Sequence, residues 1–112
     1  MNADRNAAVE FEGVMAQAAL VQYQPGAVVS RTIIKKGGGS VTAFAFDAGQ
    51  ALSEHTTPFE ALALVIDGEA DVSVADTHYR VRTGDLVRLP GGQSHAVKAL
   101  TRLKMILIML RV

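Results

Sequence analysis

His55 and His95 carry the widest chemical repertoire in this chain, since an imidazole donates or accepts a hydrogen bond, moves a proton near neutral pH, or ligates a transition metal. His95 closes an informative spacing: Gly84, five residues, Pro90-Gly91-Gly92, two residues, His95, three residues, Ala99. Gly84-Asp85 is a turn signal, and Leu86-Val87-Arg88-Leu89 is a short alternating run of strand type. Pro90-Gly91-Gly92 ends that run, because proline lacks the donor a ladder needs and glycine accepts positive φ. A reversal there brings His95 back alongside Leu89 and Val87 as one arm of a β-hairpin, facing the interior of a barrel. His78, after Asp76-Thr77, reads as a solvated turn residue.

Other chemistries find little support. Ser94 immediately precedes His95 and points to the opposite face of a strand, so no nucleophile with a base beside it is apparent. Gly37-Gly38-Gly39 is followed by neither Lys-Ser/Thr nor a helix start and reads as a hairpin connection, not a phosphate loop.

The elements that must position the histidines are strands. Turn chemistry recurs at Pro25-Gly26, Gly37-Gly38-Gly39, Asp47-Ala48-Gly49, Asp67-Gly68, Asp76-Thr77, Gly84-Asp85, Pro90-Gly91-Gly92 and the Leu100–Arg102 region. That rhythm predicts about nine or ten short strands in an all-β sandwich or barrel. Val28 to Ile34 and Val41 to Phe46 are rich in β-branched and aromatic residues, and Val72-Ser73-Val74 and Tyr79-Arg80-Val81-Arg82 alternate at period two. Phe44 and Phe46 share a strand face, as do Met105, Leu107 and Met109; either set packs a core or lines a ligand cavity. Lys104 to Leu110 is apolar at both parities, so both of its faces need cover, one from the barrel and one from a neighbouring sheet or a second subunit. Near the N-terminus, Phe11, Val14, Met15, Ala18 and Ala19 share one face of a helix, although a strand beginning near Ala18 fits equally.

With 112 residues the chain makes one domain, large enough to bury roughly 65% of its unfolded surface. Eleven basic residues balance eleven acidic ones without a basic cluster, which argues against nucleic acid or an anionic membrane as partner. Thiol chemistry is excluded by the lack of cysteine. No signal-type stretch is seen and the longest apolar run falls far short of the roughly 20 residues of a membrane helix, so the expectation is a cytoplasmic protein.

The Gly84–Ala99 segment resembles the second motif of the cupin barrels, with Ala99 in place of the motif's terminal Asn. Gly49 to Gly68 is similar to the first motif, in which Gly, His, His, Glu and Gly recur. Gly49 and His55 fit; Thr57 stands at the second His; counting back from Gly68 puts Ala61 at the Glu, with Glu60 one residue early. Val65-Ile66-Asp67-Gly68-Glu69-Ala70 resembles the family's strand-turn-strand hallmark. The resemblance implies an all-β double-stranded β-helix, a jelly-roll barrel over residues 28–110 of a single domain 1–112, with residues 1–20 as a short arm or helix.

Cupin centres hold iron, manganese, zinc, nickel or copper on three histidines and one glutamate. Carried over, His55 is the first ligand and His95 the last. Glu60 becomes a third only if a loop shorter by one residue over Thr56-Thr57-Pro58-Phe59 swings it inward, with a bulge between Glu60 and Gly68 absorbing the extra residue. The leading expectation is a barrel that binds a small organic ligand, with a degenerate metal site. His55, Thr57 and His95 are its polar contacts, and Phe44, Phe46, Met105 and Leu107 its apolar wall. One alternative is a metal-dependent enzyme of dioxygenase or isomerase type that uses a divalent transition metal on His55, His95 and Glu60; another is a structural or sensory module whose pocket is filled by its own side chains. Small cupins commonly pair, which implies a homodimer.

Overall fold

On either side of the turn at Gly68 every second residue is buried, first Ala61, Ala63 and Val65, then Ala70, Val72 and Val74. Strand side chains alternate between faces, so such a pattern commits one face of each segment to a core. The computed structural model describes residues 12–111, and nine strands follow from patterns of this kind. They are β1 (Val28–Lys36), β2 (Gly39–Phe46), β3 (Ala51–Thr56), β4 (Glu60–Asp67), β5 (Glu69–Val74), β6 (Thr77–Arg82), β7 (Leu86–Leu89), β8 (Ser94–Ala99) and β9 (Leu103–Leu110).

Two antiparallel sheets result, one ordered β1-β2-β9-β4-β7 and the other β3-β8-β5-β6. From β3 to β9 the chain passes back and forth between them, which is a jelly-roll barrel. The core lies between the inner faces, where Phe46, Val72, Leu89, Leu103 and Met105 are almost fully buried.

The topology overturns one sequence-based expectation. β7 and β8 do not form a hairpin: β7 pairs with β4 and β8 with β3 and β5. Pro90-Gly91-Gly92 carries the chain across the sandwich from one sheet to the other, so His95 lies on the layer opposite Leu89 and Val87. Local patterning sets which side of a strand is apolar; it does not choose the strand's neighbour.

The outer face of the five-stranded sheet holds a second cluster, in which Val29, Ala43, Ala45 and Ile106 are covered by Leu20 and Val21. The chain therefore supplies part of the cover that the two-sided apolarity of β9 demands. Its described N-terminal part has a single 3₁₀ turn at Gln17–Ala19, neither the longer helix nor a strand near Ala18, and Val14 is 95% exposed; Phe11 lies outside the described residues. Lys104 is buried beneath this segment, where its Nζ donates to the Ala18 carbonyl at 2.8 Å and sits 4.8 Å from the centre of the Tyr23 ring. Tyr23 in turn donates its hydroxyl to Asp67 at 2.5 Å.

Two turns differ in character. Ala75 and Asp76 both take positive φ, 47° and 70°, the signature of a tight hairpin between β5 and β6. Thr77 thus already belongs to β6, and His78 is a strand residue whose Nδ1 meets Asp71 Oδ2 at 2.8 Å, not the turn residue expected. Gly68 separates β4 from β5 at φ 91°, and a Cβ there would fall 1.8 Å from the Arg102 carbonyl oxygen. Gly68→Ala is expected to lower stability by on the order of 3 kcal/mol in urea unfolding, since both backbone strain and a clash oppose it; a loss of under about 0.5 kcal/mol, the scale of a neutral surface change, would refute this account of the turn.

Candidate functional site

His55 sits on the edge strand β3 directly across from His95 on β8, and the two rings meet edge-on with centroids 4.4 Å apart. Simple alternation would not bring them together. Leu52 pairs with Val97, so two residues further along β3 the partner of His95 should be Glu54; instead it is His55. One extra residue is accommodated in β3 between Leu52 and His55, and this bulge turns His55 onto the face that carries Leu52 and His95. The bulge also holds the ring: His55 Nδ1 lies 2.8 Å from the Ser53 carbonyl oxygen. A carbonyl only accepts, so Nδ1 carries the proton and Nε2 of the neutral ring is an acceptor.

His95 alternates with Val97 and Ala99 as a buried residue of β8 and is only 6% exposed. Its Nδ1 is buried with no hydrogen-bond partner among the described residues. Burial, followed by the neighbouring His55, pushes its pKa below the usual 6.5, against the smaller opposing effect of the Gln93 backbone. Burial and His55 both favour the neutral form of the ring. Thr57 Oγ1 is likewise buried without a partner among the described residues, while its carbonyl accepts the Gly92 N–H at 2.7 Å.

Glu60 is drawn away from this pair. Its Oε2 accepts the Gly91 N–H at 2.9 Å and its Oε1 lies 3.3 Å from the Arg88 guanidinium. The Gly91 amide first, and Arg88 second, hold its pKa below the ordinary carboxylate value. Ala61, not Glu60, faces the core and is 6% exposed. A bulge between Glu60 and Gly68 does occur, at Val65–Asp67 of β4, yet Glu60 remains on the face opposite Ala61. Among the described residues no three of His, Cys, Asp or Glu converge. Two imidazoles, with a threonine and an alanine at the other two positions, do not match the four-ligand set of the metal-binding cupins.

Phe44, Phe46, Met105 and Leu107 all belong to the core between the sheets, with Phe44 paired across to Met105 and its ring 6.1 Å from that of Phe46. Phe46 and Met105 are fully buried, whereas Phe44 and Leu107 are half-buried. Sequence reasoning missed the β3 bulge and the Glu60–Gly91 contact. Neither leaves a local signal, because each depends on a partner from a distant part of the chain.

The same architecture is found in known proteins. A conserved protein of unknown function from Streptococcus pyogenes superposes with a TM-score of 0.87 at 26% identity over 93% of this chain and 91% of its own. A cupin superfamily protein from Desulfitobacterium hafniense gives 0.86 at 24% identity, over 93% and 95%. A cupin 2 conserved barrel domain protein from Leptotrichia buccalis is 34% identical over 84% of this chain, which spans 46% of that longer one, with a TM-score of 0.81. No curated protein matches the sequence. The family model of the cupin domain matches residues 43–110, more than half of the chain and every strand that carries the histidine pair, and the protein belongs to the cupin family.

Proposed function

We propose that this cupin binds a small, uncharged organic molecule beside the histidine pair, with His55, His95 and Thr57 as polar contacts and Phe44, Phe46, Met105 and Leu107 as the apolar wall. The observation that carries this reading is the pair of unpartnered buried atoms, His95 Nδ1 and Thr57 Oγ1. An unmet buried polar group costs about 1–3 kcal/mol, and two of them in the segments that meet at the histidine pair suit a ligand hydroxyl, carbonyl or amide. Among the described residues no acid converges on the pair, and burial disfavours charge on His95, which favours an uncharged partner. Metal-dependent catalysis has weaker support, because Glu60 is committed to Gly91 and Arg88.

Ligand-observed NMR with a panel of short-chain alcohols, ketones and amides tests the site. Members that bind the native chain should lose affinity by roughly tenfold or more with His95→Ala; binding unchanged by that substitution, or no binding across the panel, would sink the reading. Thr57→Val separates binding from structure. It should leave unfolding stability unchanged or raise it by up to about 1 kcal/mol, because an unmet hydroxyl is removed, while weakening ligand binding. A destabilisation of similar size would mark the hydroxyl as structural.

The shifted pKa of His95 also fixes a sign. The folded state binds the proton less readily than the unfolded chain, so the contribution is fully present above the usual value near 6.5 and is lost as pH falls through the depressed folded value. The unfolding temperature should therefore drop as pH is lowered from 7 through this range, and less so in His95→Gln; parallel profiles for the two proteins would remove His95 as the cause.

We also infer that a second copy covers the remainder of the outer face of the five-stranded sheet. Leu62, Leu64, Ile108 and Val41 lie there in register, and Leu86 and Leu110 are exposed by 61% and 54%. Light scattering on the native chain should give the mass of a dimer, and Leu86→Glu with Leu110→Glu the mass of a monomer. A native monomer would exclude this pairing.

A further inference from the structure

β6 and β7 end their respective sheets, and a cleft of about 580 Å³ opens between them. Its volume falls within the range of sites that hold small organic molecules. Strand register places it beside the histidine pair but apart from it. On the four-stranded sheet His55 pairs with His95, His95 with Val74 and Val74 with Thr77, one row across four neighbouring strands. Val74 and Thr77 line the cleft, and neither histidine does.

Parity decides which side chains face inward. Val81 of β6 and Val87 of β7 are 5% and 8% exposed and belong to the core between the sheets. Thr77 and Tyr79 share the parity of Val81, so they stand on the inner side of β6. Tyr79 is nevertheless 49% exposed, because no strand lies beyond β6. Val74, Val81, Val87 and Pro90 give the cleft its apolar lining.

The charged residues at its rim are engaged elsewhere. Arg80 and Arg88 have the opposite parity, and they donate to Glu69 at 2.6 Å and to Glu60 at 3.3 Å, two glutamates that do not line the cleft. Asp85 accepts the Arg82 backbone N–H at 2.9 Å. The remaining polar side chains of the lining are neutral: the hydroxyls of Thr77 and Tyr79 and the amide of Gln93. None of these three groups makes a hydrogen bond among the described residues.

We propose that the cleft between β6 and β7 is a second binding site, one that takes a small aromatic molecule bearing an uncharged amide or hydroxyl. The ring of the ligand packs on the valines and against Tyr79, since aromatic pairs attract beyond the area they bury. Its polar group exchanges hydrogen bonds with Gln93, which offers both donors and an acceptor, and with the two hydroxyls. A carboxylate of the same shape would lose hydration over the valines without gaining an inward-facing cation, so the acid is disfavoured. The proposal does not rest on ligand binding at the histidine pair, from which Val74 separates the cleft.

Amide NMR of the full chain, titrated with benzamide and separately with benzoate, tests it. Benzamide should give saturable shifts centred on Val74, Thr77, Tyr79, Val81 and Val87, and benzoate should bind roughly tenfold more weakly. Tyr79→Ala should weaken benzamide by a similar factor, whereas Tyr79→Phe, which keeps the ring, should weaken it less than about threefold. Tyr79 and Gln93 are both exposed, so these variants and Gln93→Leu should keep the native spectrum elsewhere; Gln93→Leu should also bind benzamide more weakly. Shifts at His55 and His95 report the histidine site separately. Benzamide shifts confined to those histidines, no saturable shift in the millimolar range, benzoate binding as tightly as benzamide, or native affinity in Tyr79→Ala would each overturn the proposal.

Discussion

The contact between the Pro90-Gly91-Gly92 turn and the segment from Thr57 to Glu60 constrains everything around the histidines. Gly91 donates to the Glu60 carboxylate, Gly92 donates to the Thr57 carbonyl, and a Cβ on Gly91 would stand 2.6 Å from the Pro58 carbonyl oxygen. Only glycine permits that approach. The turn links β7 in one sheet to β8 in the other, and the segment it touches links β3 to β4 across the same gap. The contact therefore ties together the two connections that bring His55, Thr57 and His95 to one end of the barrel. It also decides the character of the site, since the carboxylate that a metal would require is the group that secures the turn.

Buried polar groups elsewhere in the fold show what an ordinary structural solution looks like. Lys104 is buried, and its ammonium is met by the Ala18 carbonyl and the face of Tyr23. Such a group stabilises the packing of the N-terminal segment because its needs are answered. His95 Nδ1 and Thr57 Oγ1 are not answered by the described residues. Against a total stability of about 5–15 kcal/mol for a typical domain, two unmet groups are a substantial standing cost, and costs of this kind collect where a molecule is bound, not where a core is packed.

Much of the architecture was legible in the residues themselves. Alternation in runs such as Val72-Ser73-Val74 and Tyr79-Arg80-Val81-Arg82, together with the recurring turns, pointed to an all-β chain of about nine strands, and the spacing from Gly84 to His95 pointed to the right barrel. What could not be read was pairing across distance. The run before Pro90 looked like one arm of a hairpin, but its partner is β4, not β8. His55 was singled out from its motif, whereas the reason it meets His95 is a bulge at Ser53-Glu54 that a strict two-residue period hides. His78 was displaced from turn to strand because Ala75, a residue that seldom takes positive φ, shares the reversal with Asp76. In each case the local pattern fixed a side chain's polarity and parity, and a long-range neighbour decided its direction.

Two regions of the barrel treat charge in opposite ways for the same physical reason. At the histidine pair, burial penalises charge and lowers the pKa of His95, while the acid stays outside on Gly91 and Arg88. Between β6 and β7, the sheets end at strands with no outer neighbour, so arginines carried on exposed positions keep their hydration and their charge beside an apolar floor. A sandwich with closed inner faces and open edges separates these environments without any added element. How far each set of side chains lies from water decides how much charge it tolerates.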